Sequence, residues 1–431
     1  MAETVLVPFR WPVTWTDPKL ISLLQNGPIN CVVVSGAPAG ISDVARNAGL
    51  TVLEWSSLGA APLAKVNWNT SAPRITITDL VWPRVKAAAF GSRDQAQSGP
   101  TGNPWIDSNS WVARLAVARA PGKQIWLAFD PPKEDQPPTG VAYRVAIADA
   151  AATGARWPVS LDEKLAQALA TGDADALKTW RSILDTLAFF EKQSLWRAYV
   201  HQGPLGAIST FAGDNEFMSS EFLNLAARQN LLYRIFDRSR LPSADFAGLR
   251  GVLWVDNDPP AADAATKLSN FARGGGLLIV PRSSSSLFKG ERVLDCPVTG
   301  YELRALGKGT VAAATRDWDD PYFLAIDIHN LVSRRYDPIR LFNGGSYWLH
   351  YSVSPATKDG LIQLVSFAGG RGGRGGFGAN DVSLRIPVQH RSVTLYTLDA
   401  APVPLQPFKE DEHIEYRLPQ FSVYAALEVK V

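Results

Sequence analysis

The sequence predicts an α/β protein built in three parts. A parallel (β/α) barrel covers residues 1–200, a three-layer α/β domain 201–320, and an antiparallel β-sandwich 321–431. Three observations predict this. Short β-branched runs alternate with helical stretches through the first part. A glycine turn feeds the apolar strand Gly274–Pro281. From about Tyr322 onward, short alternating runs between turn residues replace the helical period.

The elements follow in order. Ile29–Val34 is a β-branched run closed by Ser35-Gly36, and Ile41–Ala48 reads as a short helix. Leu50–Trp55 and Arg74–Asp79 are the next strands, and Gln124–Asp130 and Ala155–Asp162 come later. Between these last two, Val141–Gly154 is an Ala-rich helix ending in Gly. From Leu177 to Tyr199 the positions Trp180, Ile183, Leu184, Leu187 and Phe190 repeat at helical spacing. In the second part, Leu205–Phe211, Leu249–Asp256 and Gly274–Pro281 read as strands, with helices over Ser220–Asp237 and Ala261–Arg273. In the third, Leu361–Phe367, Val382–Pro387, Ser392–Leu398, His413–Leu418 and Phe421–Val429 are short strands. Two Arg-Gly-Gly repeats within Gly369–Gly378 read as a flexible loop in preference to an RNA-binding segment.

Composition narrows the function classes. With 43 basic and 41 acidic side chains the net charge is +2, which gives no footprint for nucleic acid or an anionic membrane. No apolar run of 18 or more residues is present, so no membrane span is expected. Cys31 and Cys296 stand far apart and form no metal or redox spacing. The five histidines include no i, i+4 pair, so neither a metal nor a cofactor is expected. The Gly-x-Ser-x-Gly elbow, the Walker loop and the dinucleotide fingerprint are all missing. There are 14 Trp against 2 Met, and indole rings suit flat apolar ligand faces as well as large cores. The first residues carry no signal peptide. Low Met and Cys with high Trp predict a periplasmic or secreted protein whose signal has been removed, with a cytoplasmic one as the alternative.

The order of barrel, α/β domain and sandwich resembles the family 42 β-galactosidases and related glycoside hydrolases. Asp245–Pro281, with its "GGGLLIVP" strand, is similar to the glutamine-amidotransferase-like middle domain of that group. "SGPTGNPWIDSNSW" (Ser98–Trp111) and "DAAATGARWPVSLD" (Asp149–Asp162) resemble a bacterial glycosidase-like family. The resemblance implies a glycosidase-like barrel with carbohydrate as partner; a middle domain and a sandwich that both offer flat contact surfaces allow homo-oligomers. The chain departs from the pattern in two ways. The Asn-Glu pair that carries the acid/base in that group occurs here only as Asn215-Glu216, in the middle domain, so the role does not transfer. The barrel also spans about 200 residues against a usual ~250, which predicts an incomplete or degenerate one.

Glycoside hydrolysis needs two carboxyl groups, about 5–5.5 Å apart for retention and about 6.5–9.5 Å for inversion. Asp79, Asp130 and Asp162 end predicted strands, where barrel loops gather their reactive groups. Asp107 lies in a loop dense in amide and indole groups. These four are the candidate acids and nucleophiles. For Asp162, followed by Glu163 and a helix, an N-cap is the better reading; for Asp130, followed by two prolines, it is not. Glu54, Asn103 and Asn109 can bond sugar hydroxyls, and Trp82, Trp105, Trp111 and Trp157 can supply faces for sugar rings. Taken singly, each of these tryptophans reads as core in preference to a ligand platform. The leading expectation is binding or hydrolysis of an oligo- or polysaccharide. The alternative is a non-catalytic assembly protein on a degenerate glycosidase scaffold.

Overall fold

The computed structural model describes residues 5–36, 40–86, 105–133, 138–333, 337–343, 347–367, 382–386, 389–410 and 413–431. β1 (Pro8–Arg10), β2 (Cys31–Val34), α1 (Ile41–Asn47) and β3 (Thr51–Glu54) open the chain, the strands pairing in parallel in that order. β4 (Ala61–Pro62) and β5 (Arg74–Thr78) begin a second parallel sheet. The hairpin β6 (Arg84–Lys86)–β7 (Trp105–Asp107) and α2 (Ser110–Arg119) then lead to its third strand, β8 (Gln124–Leu127). α3 (Gly140–Ala151) returns the chain to residues 156–159, which the sequence predicts as strand. The segment forms parallel bridges from Arg156 to Trp126 and from Val159 to Phe9. It thereby joins both sheets into one series, β3-β2-β1-(156–159)-β8-β5-β4. α4 (Glu163–Ala170) and α5 (Ala174–Lys192) complete the unit.

Side chains alternate across a strand, and this sorts the series into two faces. Val32, Val34, Ile75, Ile77, Ile125 and Leu127 join the core that the helices cover. Cys31, Val33 and Trp126 form a separate cluster with Leu6 and Leu58. This second face curls on itself. Arg74 of β5 lies 5.2 Å over the Trp126 ring and is near enough to Cys31 of β2 for its charge to act on the thiol. In a flat sheet those two strands, four places apart, would be ~19 Å from each other. Burial outweighs Arg74 and pushes the Cys31 thiol up to about 12.

β9 (Val200–His201) precedes a seven-stranded sheet and pairs elsewhere, antiparallel to Ser352 and Val353. The sheet is built from β10 (Leu205–Ser209), α6 (Glu216–Arg228), β11 (Tyr233–Asp237), β12 (Gly251–Trp254), α7 (Ala262–Arg273), β13 (Leu277–Val280), β14 (Arg292–Leu294), β15 (Tyr301–Leu306) and β16 (Gly309–Ala314). Its order is β11-β10-β12-β13-β16-β15-β14, parallel from β11 to β16 and antiparallel through the last two pairings. α6, α8 (Pro321–Val332) and one side of α2 cover one face, and α7 covers the other. Two expectations need correction. The helix expected over Ser220–Asp237 ends at Arg228, and Tyr233–Asp237 is a strand; Asn230 at φ 58° breaks the helix before a run rich in aromatic and β-branched residues. α8 was not expected. Asp320 caps it and Pro321 opens it, but it is apolar nearly all round, so no helical period stands out.

The last unit contains β17 (Arg340–Phe342), β18 (Tyr347–Val353), β19 (Gly360–Ser366), β20 (Ser383–Ile386), β21 (Ser392–Thr397), β22 (Val403–Leu405), β23 (Lys409–Glu410), β24 (Ile414–Arg417) and β25 (Tyr424–Lys430). They form two antiparallel sheets, β17-β20-β24-β23 and β22-β21-β25-β19-β18-β9, around one apolar core. The outer face of the larger sheet packs on the first unit. Tyr424 meets Phe190 edge-on at 4.9 Å, and Gln363 donates to the Ala152 carbonyl at 3.0 Å. The Arg-Gly-Gly repeats lie outside the described residues. Among the described residues, no helix is long and apolar enough to cross a membrane.

Candidate functional site

The carboxyl ends of the parallel series bring several polar side chains together. Arg10 ends β1 and pairs with Asp130, three residues beyond β8. Ser160, just after the bridging segment, donates to the same Asp130 Oδ1 at 2.8 Å. The Arg10 guanidinium also lies 4.4 Å over the Trp55 ring, at the end of β3. Asp130 therefore carries two donors and remains 62% exposed. On the neighbouring strand β5, Asp79 follows the last residue. It is exposed, adopts φ 57°, and has no hydrogen-bond partner among the described residues. Aspartate tolerates this left-handed conformation better than most side chains. Glu54 is exposed at the end of β3, two strands from Arg10.

Beneath this rim lies an aromatic floor. Trp157 stacks on Phe129 at 5.1 Å with nearly parallel planes, and its Nε1 donates to the Phe129 carbonyl at 2.8 Å. Trp82 meets Phe129, Tyr143 and Trp157 edge-on at 5.4–5.9 Å. Trp82 and Trp157 are 8% and 3% exposed, so other rings cover the faces a sugar would need. Asp162 caps α4. Its Oδ1 accepts from the backbone N–H groups of Lys164 and Leu165, both at 3.0 Å, and its Oδ2 accepts from Tyr143 at 2.8 Å. Both of its oxygens are committed to structure.

The loop carrying Asp107 is also structural where it is described. Asp107 stands opposite Arg84 in the β6–β7 register, and Trp105 opens β7 opposite Lys86. Asn103 lies outside the described residues. The buried Asn109 amide clamps the Val81 backbone, donating to its carbonyl at 2.8 Å and accepting from its N–H at 3.1 Å. Trp111 is half-buried between the cores of the first and middle units. Ser108 and Ser110 donate to Asp149, and the Asn109 N–H reaches its other oxygen at 3.0 Å. Asp149 is 1% exposed, and burial raises its carboxyl to about 6 against these donors. The two stretches singled out by their resemblance thus meet at one buried carboxylate. Sequence reasoning missed Arg10, Ser160, Tyr143 and Asp149. Arg10 and Ser160, at the ends of apolar runs, were the only two with a readable signal.

By sequence, no protein family and no curated protein matches the chain. Solved structures do. The α-L-fucosidase isoenzyme 2 from Paenibacillus thiaminolyticus matches 96% of this chain over 79% of its own, at 12% identity and a TM-score of 0.50. The β-galactosidase from Bacillus circulans sp. alkalophilus matches 79% over 59%, at 9% identity and 0.48. A rhamnosidase from Novosphingobium sp. PP1Y matches 90% over 38%, at 11% identity and 0.45. The likeness is one of fold, and the chain has a glycoside-hydrolase-like fold.

Proposed function

We propose that this protein binds and cleaves an oligo- or polysaccharide at the carboxyl ends of its parallel strands. On this reading the curled series is an incomplete (β/α) barrel, the seven-stranded unit is an amidotransferase-like domain, and the two antiparallel sheets are a β-sandwich. One observation carries the proposal. Asp79 and Asp130 follow β5 and β8, which pair directly with Ile77 opposite Leu127. Neighbouring strands run ~4.8 Å apart, so carboxyl groups at their ends can span the distances that glycoside hydrolysis requires.

The roles follow from the partners. Asp79, unpartnered and exposed, protonates the leaving glycosidic oxygen. Asp130, held by Arg10 and Ser160, attacks the anomeric carbon or activates water. The Arg10 donors not facing Asp130 bond the sugar hydroxyls beside Trp55. The fold likeness to glycoside hydrolases supports the assignment. Reducing-sugar release across a panel of poly- and oligosaccharides, with thermal shift in parallel, tests it. A ligand at 100 times its dissociation constant adds about 2.7 kcal/mol, which is visible as a shift. Release together with a shift supports the enzyme, and neither across the panel refutes it.

A second reading, a non-catalytic assembly protein on the same scaffold, draws on a different observation. Of the four candidate carboxylates only Asp79 lacks a partner among the described residues; Asp130 and Asp162 are held by named donors, and Asp107 faces Arg84. The absence of both shift and sugar release across the panel favours it.

A further inference from the structure

A hollow of about 440 Å³ lies between the first and middle units, away from the strand-end site. It is lined by the loop after β4, with Trp68 and Asn69, by the carboxyl edge of β10 and β11, with Thr210, Phe211 and Asp237, and by Arg119 and Arg240. Its size is that of a small-molecule site. Inter-unit clefts and the crevice beyond the carboxyl ends of parallel strands are where such sites occur in α/β proteins. The hollow lies at the carboxyl ends of the paired parallel strands β10 and β11. The distance from the proposed catalytic rim follows from α2. Its first turn sits by Val81 through Asn109, and Arg119 ends it ten residues later, ~15 Å away.

The floor of the hollow is held in an unfavourable shape. Phe211 takes φ 48°, a left-handed conformation that a bulky residue keeps only when its surroundings enforce it. They do: buried Asp256 accepts from Ser209 Oγ at 2.6 Å and from the Thr210 N–H, and Ser209 Oγ accepts from the Phe211 N–H at 2.9 Å. The charges are unequal. Asp237 is taken up by Arg119 and by the Ser239 backbone and hydroxyl, while Arg119 also donates to Thr210 O and lies 5.1 Å over the Trp68 ring. Arg240 is exposed; its guanidinium donates to the Ala118 carbonyl, and no carboxylate pairs with it among the described residues. The hollow therefore offers a half-buried indole, an amide and one uncompensated guanidinium.

We infer that this cleft binds a pyranose ring bearing an anionic group, either a carboxylate or a sulfate. The part of the half-buried Trp68 ring that Arg119 leaves open meets the apolar ring face, Asn69 bonds hydroxyls and Arg240 takes the anion. The inference goes beyond the proposed hydrolysis and uses none of its residues. Calorimetric titration of the full chain with glucuronate, galacturonate and galactose 6-sulfate, each against its neutral parent sugar, tests it. The acidic sugars should bind at least about tenfold more tightly than the parents, the worth of one charge-assisted hydrogen bond. Arg240→Gln, an exposed change that leaves the fold intact, should erase that preference, and Trp68→Ala should weaken every sugar. Asp79→Asn and Asp130→Asn should leave the binding unchanged, so the cleft and the rim fail independently. Preference for uronates over the sulfated sugar, or the reverse, identifies the anion. The inference is overturned by no binding, by binding that survives both cleft variants, or by inorganic sulfate binding as tightly as the sulfated sugar.

Discussion

Replacing Asp149 with Asn should change how stability depends on pH more than stability itself. The native carboxyl sits at about 6 against an ordinary 3.8, with burial as the leading cause. The raised value means the native state takes up a proton on acidification before the unfolded chain does. Stability from this group therefore grows as pH falls through 6 and is fully gained below 3.8. Above pH 6 the buried charge costs the whole difference, about 3 kcal/mol. Asparagine can meet the same partners. Its carbonyl can accept from the Asn109 N–H and its amide can donate to the two serine oxygens, because hydroxyls rotate to suit. Asp149→Asn should then gain on the wild type by about 2 kcal/mol between pH 4.5 and 8. For a chain of 431 residues that is roughly 2 °C in Tm. Differential scanning calorimetry of both proteins across that range measures it. Parallel pH profiles would refute the reasoning, and Asp149→Leu, which strands the donors, should be less stable than both at every pH.

Other consequences are equally concrete. Burial, with the Arg114 charge second, pushes the His350 imidazole down to about 3, so the unfolded chain binds a proton that the native state refuses as pH drops below 6.5. Urea titrations should show His350→Gln shrinking the stability lost between pH 7.5 and pH 5 by about 2 kcal/mol. Gly309→Ala would put a Cβ 2.3 Å from the Gly276 carbonyl and 2.4 Å from that of Ala272, both backbone, so it should cost more than about 3 kcal/mol or prevent soluble expression. Arg10→Met should lose no more than about 1 kcal/mol, its partner being largely exposed, yet weaken saccharide binding about tenfold in calorimetric titration.

The sequence and the structure agree where periodicity was strong and disagree where it was not. β2, β3, β5, β8, α3 and α5 stand close to where β-branched runs and helical spacing put them. Residues 156–159 carry the pattern of a strand but make only bridges, because Pro158 has no N–H to give a ladder. α8 was invisible for the opposite reason: packed against α6 and the middle sheet, it has little polar face to mark its period. The candidate site was legible in part. Asp79 and Asp130 could be picked because a carboxylate after a strand is a local pattern. Arg10 and Ser160 became relevant only when strands far apart in sequence came together. Trp82 and Trp157 could not be told from ligand platforms by sequence, since an indole ring suits a core and a sugar equally.

The central claim rests on two carboxylates acting together, and the most direct test is the turnover of Asp79→Asn and Asp130→Asn on whichever saccharide the wild-type protein cleaves. Each variant should lose at least about a hundredfold in kcat, the lower end of what general acid–base catalysis contributes, while still binding the saccharide. A loss below about tenfold in both variants would contradict the account and move the chemistry away from these strand ends.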